Sequence, residues 1–163
     1  MSGPNLTLQL RELLSDPVML IFSTEKSTLW PSIGRGLGLR SFDDHTLDLF
    51  FSQSRFPDVL PEFPRKSRMA VTVTRLRDYR SYQFKGPALL MGLDPEDVSF
   101  VSDYRTKILR FFQAAGATPN AIDEWIGGES LLKARILVSE MYEQTPGLRA
   151  GKAVNQINDD YTF

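Results

Sequence analysis

The 163-residue sequence predicts a mainly β protein of the α+β class: six strands in an antiparallel sheet closed into a small barrel, with flanking helices over its openings. Three observations lead there. Stretches with a period of two in apolar and polar residues recur, most clearly at 69–74 and 82–85. Strand-like segments follow one another with only turns or short connections between them, as antiparallel neighbours do. Apolar residues at helical spacing are confined to one early stretch and to a pair of segments inserted before the last strand.

Leu6, Leu10, Leu13 and Leu14 lie at helical spacing, and Ser15-Asp16-Pro17 stops that helix. Residues 18–22, VMLIF, form a short apolar run suited to a strand buried on both sides. In residues 32–42, SIGRGLGLRSF, Ile33, Arg35, Leu37 and Leu39 alternate with Gly34, Gly36 and Gly38, so a strand here has one face bare of side chains. Such a face admits a flat group or another backbone, or else marks a bent, bulged strand at a barrel corner. The dinucleotide fingerprint G-x-G-x-x-G is absent, because Leu39 stands where its third glycine belongs. Arg35 and Arg40 flank the bare face and are placed to serve an anionic ligand. Asp43-Asp44-His45-Thr46 reads as a turn that leaves His45 solvated and without a catalytic role. The next strand, 47–53, turns Leu47, Leu49 and Phe51 inward and runs into Ser54-Arg55-Phe56. Prolines allow only a broken helical connection over 57–66.

Residues 69–86, MAVTVTRLRDYRSYQFKG, form two strands joined by a charged turn at 75–78. Met69, Val71 and Val73 share one face, as do Tyr82 and Phe84; Ser81, Gln83 and Lys85 share the other. At about 3.3 Å per residue those three donors stand roughly 6–7 Å apart, facing water or lining one elongated polar ligand. The strand continues over 87–91. Asp94 then caps a helix with Pro95 in its first turn and acids near the positive end of its dipole. Val98, Val101, Tyr104, Ile108 and Phe112 form its core-facing stripe, and Gly116 closes it. Thr118-Pro119 opens a shorter helix with Ile122, Trp125 and Ile126, the tryptophan expected to pack and, as the second reading, to border a ligand. Residues 131–143 are the last strand, Gln144-Thr145-Pro146-Gly147 a turn, and the polar tail beyond Gly151 is expected to be loosely held. No repeat or linker divides residues 1–163, which read as a single domain.

Composition narrows the chemistry. With no cysteine there are no disulfides, thiolate zinc sites, iron–sulfur clusters or cysteine nucleophiles, and one histidine rules out a histidine-rich metal site. Nineteen Lys and Arg against twenty Asp and Glu leave a net charge of −1, so no nucleic acid or membrane surface is expected as a partner. No apolar run reaches the about 18 residues of a membrane span, and the first residues lack the basic start and apolar core of a signal peptide. A cytoplasmic protein is the expectation.

The run Tyr79-Arg80-Ser81-Tyr82-Gln83-Phe84-Lys85-Gly86, preceded by Ala70-Val71-Thr72-Val73-Thr74, resembles the central hairpin of the pyridoxamine 5′-phosphate oxidase-like, FMN-binding split-barrel family. Gln144-Thr145-Pro146-Gly147 followed by Ala150-Gly151 is similar to a second motif of those proteins, and the likeness runs loosely from Leu6 to Gly151. It implies a six-stranded antiparallel split barrel with FMN at the interface of a homodimer. It further implies that Ser54 and Arg55 match a Ser-Arg-Lys run that holds the FMN phosphate, with Phe56 where lysine would be. Lys85 or Arg35 would then supply the missing charge, and Ser81 and Gln83 would line the polar edge of the ring. The expected activity is that of an oxidoreductase acting on a small substrate or electron donor; the alternative is a non-catalytic flavin, deazaflavin or haem binding module. Ser81 replaces the glutamine of authentic pyridoxamine phosphate oxidases, and their Trp-containing C-terminal ending is missing, which argues against vitamin B6 oxidation.

Overall fold

The structure, a computed structural model, describes residues 8–25, 30–62 and 67–155. Leu6, the end of the 57–66 connection and the tail beyond 155 lie outside the described residues. In order come α1 (Leu8–Ser15), β1 (Val18–Thr24), β2 (Ser32–Ser41), β3 (Thr46–Ser52), a 3₁₀ turn (Pro57–Glu62), β4 (Ser67–Arg75), β5 (Ser81–Met91), α2 (Pro95–Ala114), α3 (Pro119–Ile126), β6 (Leu131–Leu137) and β7 (Glu140–Glu143). The strands are ordered β4-β1-β2-β3-β6-β5-β7, and a further β4–β5 pairing closes six of them into an antiparallel barrel. Among the described residues no helix is long and apolar enough to cross a membrane.

Alternation decides which side chains fill the barrel. Met69, Val71 and Val73 of β4 and Tyr82 and Phe84 of β5 point inward with Leu20, Phe22, Leu47, Leu49 and Phe51. β1 also alternates, leaving Ile21 44% exposed, so it is buried on one side and not on both. β3 is buried on both faces, because α2 lies outside the barrel wall there: Leu37 and Phe50 pack against Phe100 and Val101 in a second cluster. α2 carries a capping box between Asp94 and Asp97, and α3 is capped by the Thr118 hydroxyl.

Gly34 and Gly36 of β2 face the barrel's own interior, whereas Gly38, beyond a shift in pairing, lies against Phe100 of α2. A Cβ at Gly36 would lie 2.7 Å from Leu20 Cβ, and one at Gly34 would lie 2.8 Å from Phe22 Cε1. The pairing of β2 with β3 shifts between Gly36 and Gly38, so the corner reading of this segment holds: a bulge bends the strand where large core side chains come close.

The expected last strand is two. β6 ends at Leu137 and β7 starts at Glu140, because β5 forks there: its residues 82–85 pair with β7 and its residues 88–91 with β6. Gly86 sits at the fork, and the Ser139 amide donates to Lys85 O at 2.9 Å. The start of the tail is held: Ala153 bridges Tyr142, and the Val154 amide donates to Met141 O at 2.9 Å.

Candidate functional site

Outward-facing residues of four barrel strands and β7 fall into register. Arg35 on β2 pairs with Ile21 on β1, Ile21 with Thr72 on β4, Thr72 with Gln83 on β5, and Gln83 with Tyr142 on β7. With strands about 4.8 Å apart, Arg35 and Gln83 are roughly 14 Å apart along this row. Its middle is Ile21 and Thr72, and Ile33 beside it is also exposed, so an apolar patch next to the cation gives way to a hydroxyl and then an amide.

At the arginine end the row opens into a cleft of about 610 Å³, bordered by Ile21, Ile33, Arg35, Arg55, Phe56 and Trp125. Two strands and a helix build it. Arg35 lies over the Trp125 ring at 3.7 Å and donates from Nη1 to Glu124 O at 2.9 Å. Arg55 reaches in from the turn after β3, and its Nη2 donates to Asp123 Oδ2 at 2.6 Å. That turn is fastened to the start of β6: Ser52 Oγ donates to Glu129 O at 2.6 Å, while Ser54 Oγ accepts from Glu129 N at 2.9 Å and donates to Glu129 O at 3.1 Å. Gly128, with φ 108°, fits against Ser52 and Arg55 where a Cβ would collide. Phe56 borders the cleft and packs edge-on to Phe22, with centroids 5.8 Å apart.

The seven residues singled out from sequence are not gathered in one place. Arg35 and Arg55 converge on the cleft, with Ser54 bracing the turn that carries Arg55. Gln83 lies on the outward row, its Nε2 donating to Thr72 Oγ1 at 3.1 Å. Ser81 shares that face but is only 5% exposed: its hydroxyl bonds Thr74 Oγ1 at 2.9 Å and its amide donates to Thr145 Oγ1 at 3.0 Å. Lys85 borders a separate groove of about 300 Å³, its Nζ 4.5 Å from the centre of the Tyr142 ring. Beside it Tyr142 Oη donates to Glu140 Oε2 at 2.6 Å, which holds the Glu140 carboxyl below the usual range and raises the Tyr142 phenol.

Arg40 stands apart, in a charge cluster between the barrel wall and the start of α2. Its Nη2 donates to Asp97 Oδ1 at 2.5 Å and lies 3.6 Å from Asp48 Oδ2. Asp48 takes a two-pronged contact from Arg135 at 2.7 and 2.9 Å, and Lys133, 3% exposed, donates to Asp97 Oδ2 at 2.6 Å. Burial alone would raise the Asp97 carboxyl; the Lys133 ammonium and the Asp94 amide outweigh it and hold the group below the usual carboxylate value. This anchor also sets the rotation of the helix. Asp97 faces inward in the first turn, which leaves Val98 57% exposed instead of in the core stripe.

Asp123, Ile21 and Thr72 complete the site without having been marked for it in the sequence, and Trp125, expected mainly to pack, borders the cleft. Thr72 was legible as an outward position of β4, whereas the placing of α3 over Arg35 depends on long-range packing that no local spacing encodes.

No protein-family model matches the chain, and no curated protein matches it. Solved structures do. HupZ of Group A Streptococcus shares 16% identity over 89% of this chain and 98% of its own, with a TM-score of 0.50. A Lactobacillus delbrueckii protein provisionally described as a pyridoxamine 5′-phosphate oxidase shares 13% over 85% of this chain and 93% of its own, with a TM-score of 0.49. HutZ, the haem storage protein of Vibrio cholerae, shares 13% over 85% and 94%, with a TM-score of 0.46. At these identities the likeness is one of fold. The chain shares its fold with HupZ, in this chain a six-stranded antiparallel barrel with one further strand and three helices.

Proposed function

We propose that the protein is an FMN-binding flavoprotein, an oxidoreductase for a small substrate, with its cofactor site on the Arg35–Gln83 row and covered by a second copy of the chain. The observation that carries this reading is the convergence of Arg35 and Arg55 on one cleft that also holds the exposed Ile21 and Ile33 of the sheet. The donor set fits a phosphorylated flavin. Two guanidinium groups present planar forks of N–H donors suited to phosphate oxygens, and Arg35 has no carboxylate partner among the described residues. Ile21 offers an apolar seat for a flat ring, and Trp125 forms a wall of the cleft under Arg35. Gln83, whose amide nitrogen is engaged by Thr72, keeps its amide oxygen as an acceptor for an N–H on the ring edge.

When bound, FMN supplies the electron chemistry; the chain's residues orient it and control access to it. A haem-carrying module on the same face is the alternative reading. The residues bordering the cleft include no histidine or cysteine to ligate iron, and His45 lies in the β2–β3 turn, its amide donating to Asp43 Oδ1 at 2.8 Å. The observations therefore favour the flavin.

Fluorescence titration with FMN and with riboflavin tests the proposal. Arg35→Ala and Arg55→Ala should each weaken FMN by about 1.5–3 kcal/mol, at least about tenfold, and riboflavin by much less. Equal losses for the two ligands would show that neither arginine meets the phosphate. Asp123→Ala should do the opposite and tighten FMN severalfold, because the Asp123 carboxylate competes for Arg55. An unchanged or weaker FMN affinity in that variant would mean that the ion pair holds Arg55 in place for the ligand. Bleaching of the bound flavin by NADH or NADPH would separate a reductase from a passive carrier.

A further inference from the structure

A second cavity of about 460 Å³ lies between α2 and α3, on the side of α3 that faces away from the cleft. That size falls within the roughly 300–1,000 Å³ of small-molecule sites. Its walls join apolar side chains, Leu109 on α2 and Ile122 and Ile126 on α3, to polar ones, and Arg105 borders it one helical turn before Leu109. Arg105 is part-buried, and its bonding is incomplete. Its Nη2 donates to Gly128 O at 2.8 Å, while its Nε is buried without a partner. No carboxylate pairs with it among the described residues; Asp123, at the edge of the same cavity, is committed to Arg55. A guanidinium has five N–H donors, and a part-buried cation beside apolar walls is costly unless an anion meets it.

We propose that this cavity binds a small amphipathic monocarboxylate, its carboxylate on Arg105 and its hydrocarbon body against Leu109, Ile122 and Ile126. One carboxylate matches one guanidinium; a phosphate dianion would find too few donors here. The site is separate from the flavin reading and stands or falls without it.

The test uses the full chain without added flavin, with octanoate and octanol as probes that share one hydrocarbon body, followed by amide chemical-shift titration. Octanoate should bind at least tenfold more tightly than octanol, with the largest shifts on α3 and at Gly127 and Gly128. Arg105→Gln should abolish that preference, and Ala117→Phe, which fills the cavity, should weaken both probes. Absence of octanoate binding, equal affinities for the two probes, or shifts centred elsewhere would each overturn the proposal. Should Arg105→Gln fail to fold, the wild-type comparison and its shift map decide by themselves.

Discussion

Asp97→Ala should lower the folding free energy by about 3–5 kcal/mol, the cost of breaking a buried ion pair by removing one partner. Lys133 would keep its charge at 3% exposure, with only Asp94 Oδ2, 3.4 Å away at the surface, left to meet it. For a chain of this length the loss corresponds to roughly 6–20 °C in Tm. Lys133→Met in the same background should recover much of it, because an apolar side chain needs no counter-charge. Calorimetry on the wild type, both single variants and the double variant measures the coupling, and additive single effects would deny that these two groups act as a unit.

The same cluster gives a pH signature of definite sign. The Asp97 carboxyl is depressed in the folded chain, so its stabilisation is present above the ordinary aspartate value and is lost as pH falls through the folded value. The Lys133 ammonium is raised, chiefly by its bond to Asp97, so its contribution is present below the ordinary lysine value and is lost as pH rises through the folded one. The stability gap between wild type and Asp97→Ala should thus be flat from about pH 4 to about pH 10 and narrow outside that window.

Gly86→Ala should cost at least about 3 kcal/mol, at the upper end of overpacking. A Cβ there would fall inside the contact shell of the Leu137 carbonyl oxygen and lie 2.8 Å from the carbonyl carbon. Both belong to backbone, and neither can rotate away as a side-chain tip would. The fork where β5 passes from β7 to β6 would have to open, breaking the bond from Ser139 N to Lys85 O. Gly92→Ala is the matched control, since a Cβ there meets nothing within 4 Å. Urea midpoints separate the two variants; similar midpoints would contradict the close approach at the fork.

Much of the barrel was legible because period-two patterning is local. Met69, Val71 and Val73, and Tyr82 with Phe84, were placed on the correct faces from alternation alone, and Pro95 and Thr118 marked their helix starts. Features that depend on distant segments were not. The bare face of β2 gave no sign of whether its neighbour was a ligand or Leu20 and Phe22 of the same core. Asp97 and Lys133 are 36 positions apart, so their pairing leaves no trace in spacing, and Val98, which helical spacing puts on the core stripe, is exposed in consequence. The break between β6 and β7 hid inside a continuous strand-like run because Gly86, which admits the Leu137 carbonyl at the fork, lies on another strand. Of the candidate site, the residue types were readable and the grouping was not: Arg35 and Arg55 come together only because the turn after β3 is tied to Glu129, while Arg40, five residues beyond Arg35, is drawn to Asp97.

A crystal structure of the protein grown with FMN tests the central claim most directly. The proposed function predicts the phosphate within hydrogen-bonding distance of the guanidinium groups of Arg35 and Arg55, the ring over Ile21 with its polar edge toward Gln83, and a second copy of the chain across it. FMN bound elsewhere on the molecule, or a phosphate out of reach of both arginines, would contradict it.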